Sequence, residues 1–180
     1  MNSHKIKIVF LFAVFLLSVF PFILPESAVA SAQTQPLYTL QIPTINVIAP
    51  IVAVGKTSEG KMAVPNNYTQ VGLLQSASRP GEKGSAVLAA HVDNGGKIPG
   101  VFKNLKKLKI GDNVFTIDRQ GVVLHFKVVG LRVYDRASTD TSLIFDRSDA
   151  SHLNLITCFG NYLSKEKTYD QRLVVFTERV

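Results

Sequence analysis

The chain has 180 residues, of which 46% are hydrophobic and 18% charged, and its formal net charge is +7. This length suffices for one domain with its own hydrophobic core and excludes a second full domain. Its single cysteine, Cys158, excludes an internal disulfide as a staple of the fold. The cysteine therefore needs another explanation.

The N-terminal region has the pattern of a targeting segment. Residues 8–24 are almost entirely apolar and carry no charge, and the run falls between a signal-peptide core of roughly 7 to 15 residues and a membrane span of roughly 20. Small residues at 28–32 offer signal-peptidase sites, whereas the length of the run favours retention in the membrane. Cleavage stays open, and retention is the preferred interpretation. Lys5 and Lys7 place the leading end in the cytoplasm.

The predicted organisation has three parts: a membrane anchor or signal segment at 1–32, a linker at 33–37 and an extracellular domain at 38–180. The domain stays basic, because the first part contains only two lysines and one glutamate as charged residues. Outside a cell, a basic surface attracts anionic wall polymers or lipid head groups, and nucleic acid is not an expected partner. Solubility alone is an equal explanation of the charge.

The domain has the pattern of short β-strands. Most segments are rich in Val, Ile, Leu, Phe or Tyr and are separated by Gly, Pro and Asn. They lie at 38–42, 46–54, 85–92, 113–118, 122–135, 152–157 and 172–177. Seven or eight strands favour an all-β fold closed into a barrel, which leaves no exposed sheet edge. A β-sandwich is the alternative.

Two segments depart from the strand pattern. Residues 101–110 predict a short helix, since their apolar side chains share one face and their lysines do not. Residues 136–151 lack a clear strand and contain a small apolar patch at Leu143, Ile144 and Phe145. A connection of this length usually has a functional reason or is disordered.

Three side chains at predicted strand ends can do chemistry together: His91, Cys158 and Arg172. The thiolate is the nucleophilic form of cysteine, and a thiol with an ordinary pKa of about 8.5 is only a few per cent ionised at pH 7. His91 could take the thiol proton and return it to a leaving amine. Arg172 could hold the oxyanion of a tetrahedral intermediate. These groups suffice for acyl transfer.

Each of the three residues also has a structural explanation. Cys158 could be a small buried hydrophobic residue, His91 a hydrogen-bonded turn residue and Arg172 one half of a surface ion pair with Asp170. Spacing along the chain does not decide between the two interpretations, because only the fold can bring such distant residues together.

Two other histidines compete as the base. His125 alternates with apolar neighbours within a strand, and His152 lies six positions from Cys158, or roughly 20 Å at ~3.3 Å per residue. Neither is expected to reach the thiol.

No ligand spacing such as C-x-x-C or H-x-x-x-H occurs, so no metal and no other cofactor is expected. Calcium held by the acids of residues 135–149 is left open beside a solvated loop.

Three separated segments agree in type and order with one known family. They are Ala90-His91-Val92-Asp93, Leu155-Ile156-Thr157-Cys158 and Arg172-Leu173-Val174-Val175. In these segments the chain resembles the sortases, which are cysteine transpeptidases, and class F sortases most. The resemblance spans residues 40–176. One departure is Asn154, where the family pattern Thr-Leu-x-Thr-Cys begins with threonine, and it puts local packing and substrate preference in question.

The resemblance implies an eight-stranded barrel with one or two short helices and a reaction at Cys158, His91 and Arg172. A sorting signal like Leu-Pro-x-Thr-Gly would be cut between Thr and Gly through a thioester on Cys158. The implied partners are surface proteins with a C-terminal sorting signal and an amine acceptor, either a peptidoglycan precursor or another protein. Thr157 is expected to line the oxyanion site, with packing as the alternative. Residues 143–145 are expected to contact the signal.

Two rival functions fit part of the pattern. An L,D-transpeptidase is also an exported, β-rich Cys/His acyl transferase, but its Ser-His-Gly-Cys signature is missing here. A membrane-tethered wall-binding module would leave Cys158 inert and would carry repeats or exposed aromatic residues, which the sequence does not suggest. The transpeptidase of the sortase type is the preferred interpretation.

Overall fold

The computed structural model describes residues 35–180, which form an all-β domain. Its strands are β1 (Tyr38–Ile42), β2 (Val47–Val54), β3 (Val71–Leu74), β4 (Gly84–Ala89), β5 (Asn113–Asp118), β6 (Val123–Asp135), β7 (Ser151–Leu163) and β8 (Thr168–Arg179). They close into one barrel in the order β1-β2-β3-β4-β7-β8-β6-β5. The predicted closed barrel of eight strands is confirmed, and the β-sandwich alternative is excluded.

The pairing of the strands determines which strand ends meet. β4 runs parallel to β7, and β2 runs parallel to β3, whereas every other neighbouring pair is antiparallel. Strands that run parallel bring their C-terminal ends to the same rim of a barrel. The segments that follow β4 and the second half of β7 therefore lie side by side, with β8 next to β7.

Buried apolar side chains form two clusters on opposite faces of the barrel wall. The larger fills the interior and includes Leu88, Leu155 and Val175. The smaller, here called the outer cluster, lies beneath the one-turn helix α1 (Ser142–Phe145), and its buried members are Leu74, Val87, Ile144 and Val174. Neighbours such as Val174 and Val175 belong to different clusters because successive side chains of a strand point to opposite faces. This alternation decides which residues of β7 and β8 face outward.

The structure corrects several predicted strands. β3 is missing from the predicted strands, because its four residues are all buried and give no alternation. β7 runs on to Leu163, past the predicted end at residue 157. β8 begins at Thr168, so Arg172 is its fifth residue and not its first.

The predicted helix over residues 101–110 is also corrected. Only the 3-10 turn Leu105–Lys107 forms there. Leu105 and Leu108 are buried as predicted for one apolar face, but the rest of the segment between Gly100 and Gly111 consists of turns and irregular backbone. The predicted strand-free connection at 136–151 contains α1.

The predicted N-terminal anchor at 1–32 lies outside the described residues. Within residues 35–180, no helix has the length and apolar character that crossing a membrane requires. The anchor and its cleavage stay predictions.

Candidate functional site

Cys158 and Arg172 lie directly opposite each other on the outer face of the barrel. In β7, Leu153 and Leu155 belong to the interior cluster, so the even-numbered residues up to Cys158 face outward. The antiparallel register of β7 and β8 pairs Cys158 with Arg172. The structure therefore brings together two of the three residues predicted to do chemistry.

A β-bulge follows immediately after the cysteine. The register between β7 and β8 shifts between Phe159 and Tyr162, and Gly160 adopts a φ of 86°. A side chain at Gly160 would collide with the carboxylate of Asp170, which accepts a hydrogen bond from the backbone N–H of Asn161 at 2.7 Å. Glycine at this position thus allows the strand to bend away just beyond the thiol.

His91 approaches the thiol from the neighbouring strand. The parallel register pairs Ala89 with Ile156, and the backbone N–H of Ala90 still donates to the carbonyl oxygen of Ile156 at 3.2 Å. His91 follows Ala90 directly, and the Thr157 hydroxyl donates to the carbonyl oxygen of Ala90, so the segment that carries His91 adjoins the part of β7 that carries Cys158. All three predicted residues are thus carried by adjacent segments of one rim.

The imidazole of His91 is held from the side away from β7. Its Nε2 lies 2.8 Å from the carbonyl oxygen of Pro65, and its ring stacks at a tilt on Tyr68, with the centroids 4.3 Å apart. A carbonyl oxygen only accepts hydrogen bonds, so Nε2 carries a proton, and in the neutral ring Nδ1 is the basic nitrogen. His91 is thus a fixed histidine with one nitrogen able to accept a proton.

The backbone of His91 is packed tightly as well. Its carbonyl oxygen accepts a hydrogen bond from the N–H of Phe102 at 3.0 Å. The Cα of Gly100 approaches this carbonyl so closely that any Cβ there would collide with it. The loop between residues 91 and 102 therefore folds back on the histidine.

The environment of Cys158 favours the neutral thiol. The residue is half-buried, and burial raises the pKa of its thiol. The positive charge of Arg172 and a hydrogen bond with the backbone of Tyr169 lower this pKa, while the carboxylate of Asp93 raises it. Burial wins, so ionisation of the thiol requires a proton acceptor such as His91.

Arg172 is positioned by neutral groups. Its Nη1 donates to the carbonyl oxygens of Tyr169 at 2.9 Å and Gln171 at 2.7 Å, and its Nη2 donates to the hydroxyl of Thr168 at 3.3 Å. No carboxylate of residues 35–180 lies within ion-pair distance of it. Asp170, the partner considered from the sequence, bonds to Asn161 instead. The positive charge of Arg172 beside the thiol is therefore not neutralised by a carboxylate and is available to stabilise an anion.

Two residues that the sequence analysis did not single out complete the rim. The hydroxyl of Tyr169 donates to both carboxylate oxygens of Asp93, at 2.7 and 2.8 Å. Burial and this carboxylate raise the pKa of Tyr169 to about 12. Burial opposes ionisation of Asp93, yet hydrogen bonds from Tyr169 and the Gly95 and Gly96 backbone lower its pKa overall. The only signal in the sequence was proximity, since Asp93 is two residues from His91 and Tyr169 three from Arg172.

Thr157 and Asn154 connect β7 to its neighbours. The buried Thr157 hydroxyl donates to the carbonyl oxygen of Ala90 at 2.8 Å, which ties β7 to the segment that carries His91. The buried Asn154 amide donates to the carbonyl oxygen of Ile144 at 2.7 Å, so the residue that departs from the family pattern fastens α1 to the barrel. An oxyanion role of Thr157 stays a prediction.

The three apolar residues of α1 have different surroundings. Ile144 is buried in the outer cluster, and Phe145 packs against it. Leu143 is 42% exposed and lines a cavity of about 250 Å³ together with Leu131 and Phe176. Apolar surface is thus available on the same outer face as Cys158.

The two competing histidines are engaged elsewhere. His125 lies 2.8 Å through Nε2 from the amide oxygen of Asn113, and the buried His152 lies 2.8 Å through Nε2 from the carboxylate of Asp149. Among residues 35–180, no group of three or more His, Cys, Asp or Glu side chains is arranged to hold a metal ion. His91 is the histidine whose segment adjoins the part of β7 that carries the thiol.

Comparison with known proteins gives one consistent family. The model of the sortase domain matches residues 40–180. Sortase C1 from Streptococcus suis superposes with a TM-score of 0.63 at 26% identity, covering 82% of this chain and 74% of that one. A lid mutant of sortase A from Corynebacterium diphtheriae gives a TM-score of 0.65 at 24% identity over 83% and 73%. The sortase D5 transpeptidase from Clostridium perfringens gives 0.61 at 20% identity over 81% and 79%. Curated protein sequences give no significant match.

Proposed function

This chain belongs to the sortase family, and we propose that it is a cysteine transpeptidase acting through Cys158. The observation that carries the proposal is the pairing of Cys158 with Arg172 on the outer face of the barrel, where the segment that carries His91 adjoins them. A nucleophile, a proton acceptor and an unneutralised positive charge are the three groups that acyl transfer from a peptide needs.

The proposed reaction begins with transfer of the thiol proton to Nδ1 of His91. The Cys158 thiolate attacks the carbonyl carbon of the scissile amide, and the oxyanion that forms lies against the guanidinium of Arg172. The C–N bond then breaks, and His91 returns the proton to the leaving amine. A second amine attacks the thioester and gives its proton to His91. The C–S bond breaks as the new amide forms, and His91 returns the proton to the Cys158 thiolate, which restores the thiol.

The substrate is proposed to be a surface protein with a C-terminal sorting signal like Leu-Pro-x-Thr-Gly. Leu143, Ile144 and Phe145 are proposed to form the contact with the apolar residues of such a signal. The support is the exposed side chain of Leu143 beside an apolar cavity, while the buried Ile144 and its neighbour Phe145 would support Leu143 from beneath. Thr157 is proposed to line the oxyanion site through its backbone next to the nucleophile, because its buried hydroxyl donates to Ala90. The acceptor is proposed to be an amine of a peptidoglycan precursor or of another protein.

The chain is further proposed to be a class F enzyme held in the cell membrane by residues 1–32, with its catalytic domain outside. The support for the class is the set of sequence segments around His91, Cys158 and Arg172. The support for the location is the uncharged apolar run at 8–24 preceded by Lys5 and Lys7.

The proposal is tested by incubating the full chain in detergent with a peptide containing Leu-Pro-x-Thr-Gly and an excess of hydroxylamine. We expect release of the glycine-containing fragment and formation of a threonine hydroxamate, both detected by liquid chromatography and mass spectrometry. His91→Gln should lose this turnover, while His125→Gln, whose imidazole bonds to Asn113, should retain it. Failure to cleave any of a panel of sorting-signal peptides, combined with equal binding of cell wall by wild type and Cys158→Ala, would contradict a transpeptidase.

A further inference from the structure

The loop that follows His91 is fastened to the β7–β8 hairpin at a single carboxylate. Both oxygens of Asp93 accept the hydroxyl of Tyr169, at 2.7 and 2.8 Å. The backbone N–H of Gly95 donates to the same carboxylate at 2.9 Å, which folds the loop around it. Asp93 and Tyr169 are 76 positions apart in the sequence, so the bond joins two distant segments.

A second tyrosine of the hairpin packs against the same loop. Tyr162 and Tyr169 are opposite each other in the register of β7 and β8, and their rings meet edge to face with centroids 5.2 Å apart. The ring of Tyr162 lies so close to Gly95 that a Cβ there would come within 3.0 Å of it. The hairpin thus contacts the loop by one hydrogen bond and one aromatic surface.

The fastened segments are the ones that carry the reactive groups. Asp93 follows His91 by two residues. On the other side, the carbonyl oxygen of Tyr169 accepts a hydrogen bond from Arg172, which is paired with Cys158 across the two strands. Tyr169 therefore connects the cation beside the nucleophile to the loop of the base.

We propose that Asp93 is a positioning residue, whose hydrogen bond to Tyr169 holds the His91 loop against the β7–β8 hairpin so that the imidazole stays beside Cys158. This inference rests on the proposed transpeptidase function for its effect on turnover. The bond itself and its effect on the thiol do not depend on that function.

The carboxylate of Asp93 has an electrostatic effect that can be separated from its role as an anchor. The charged and titratable groups around the thiol are Arg172 on β8, Tyr169 on β8, His91 after β4 and Asp93 in the loop. Asp93 is the one anion that raises the pKa of Cys158. Any change that removes its charge, or lets it swing away, makes the thiol easier to ionise.

Two conservative variants separate these effects. Asp93→Asn keeps an oxygen that accepts the Tyr169 hydroxyl but removes the charge. Tyr169→Phe keeps the ring and the charge but removes the donor, so the carboxylate is no longer held at the rim. Tyr162→Phe is the matched control, because its hydroxyl makes no hydrogen bond within residues 35–180 and its ring contacts are kept.

The test is the pH dependence of Cys158 alkylation by iodoacetamide in the full chain, which is unambiguous because the chain has one cysteine. Asp93→Asn and Tyr169→Phe should both move the midpoint to lower pH, and Tyr162→Phe should leave it in place. In the peptide assay, Tyr169→Phe should lower kcat about tenfold or more with KM changed less, since a small misplacement of a catalytic group is costly.

The outcomes distinguish this inference from the proposed function. A Tyr169→Phe protein with the wild-type alkylation midpoint and wild-type kcat would overturn the inference while leaving the transpeptidase intact. Shifted midpoints in both variants, in a protein that cleaves no sorting-signal peptide, would support the anchor and overturn the proposed function. Thermal unfolding of each variant checks that the comparison is made on folded protein.

Discussion

The start of β7 and the region around Cys158, here called the two ends of the strand, have similar neighbouring side chains in opposite circumstances. At its start, the buried His152 bonds to Asp149, and Arg147 bonds to both Asp149 at 2.8 Å and Glu178 at 3.1 Å. Each of these two side chains faces a carboxylate. Around Cys158, Arg172 has only backbone carbonyls and a hydroxyl as partners within residues 35–180.

This difference indicates what each end is for. A guanidinium paired with carboxylates has its charge compensated and contributes mainly to stability. A guanidinium oriented by neutral oxygens keeps its charge available for an anion that appears only during a reaction. Under the proposed function, the same residue types, histidine and arginine, are structural at one end of the strand and reactive at the other.

The largest expected effect comes from removing the nucleophile at the reactive end. Cys158→Ala should abolish cleavage and transfer of a sorting-signal peptide, because no other thiol exists in the chain. The fold should be retained, since Cys158 is only half-buried. Turnover measured by fragment release checks the prediction. Turnover in Cys158→Ala comparable with wild type would show that the reaction does not need this thiol, and the region around Cys158 would then not be the reactive one.

The next largest effect is expected from substitution of the two arginines, one at each end. Arg172→Ala should lower kcat by about 10²–10³, the usual cost of removing one oxyanion donor, with KM changed less. Arg147→Ala should leave kcat near wild type and lower the free energy of unfolding instead. Steady-state kinetics and urea unfolding of both variants check this pair. An equal loss of kcat in the two variants would contradict the proposal that Arg172 acts in the reaction while Arg147 acts on stability.

A smaller effect on stability alone is expected at the structural end. His152 is 1% exposed and bonds to Asp149, so His152→Ala should lower the free energy of unfolding by about 1–3 kcal/mol through the lost contact and the cavity. Cysteine alkylation and kcat should stay unchanged. A loss of turnover at constant stability would instead make His152 part of the reactive group.

The smallest effect is a pH dependence of stability at the same end. Hydrogen bonds from Arg147 and His152 hold the pKa of Asp149 well below its usual range. The unfolded chain therefore binds the proton more readily, so this contribution is present above the ordinary pKa of about 4 and is lost as pH falls below it. Asp149→Asn should flatten the fall in urea midpoint between pH 5 and the most acidic attainable pH. An unchanged slope would contradict the prediction.

Much of the barrel could be predicted from sequence because its strands alternate or are bounded by turn residues. β1 (Tyr38–Ile42) and β5 (Asn113–Asp118) were predicted with their bounds as found. β3 was not, since its four residues are buried without alternation. The end of β7 was misjudged because the strand continues past residue 157 through a bulge at Gly160, and glycine in a sequence more often marks a turn.

The sequence predicted which three residues could react together but not how they are connected. His91, Cys158 and Arg172 were predicted from residue type, order and the family resemblance, their roles stay predictions, and the barrel pairs two of them directly. The bond between Asp93 and Tyr169 could not be predicted, because a hydrogen bond between loops leaves no periodic pattern in a sequence. The pairing of His152 with Asp149 was missed for the same reason.

The most direct test of the account is peptide mapping of the covalent intermediate. The full chain is incubated briefly with a sorting-signal peptide, quenched in acid, digested and analysed by tandem mass spectrometry. We predict the acyl part of the signal, ending in threonine, as a thioester on Cys158 and on no other residue. Cleavage of the peptide with the acyl group on another residue would contradict the account, as would turnover with Cys158 already alkylated.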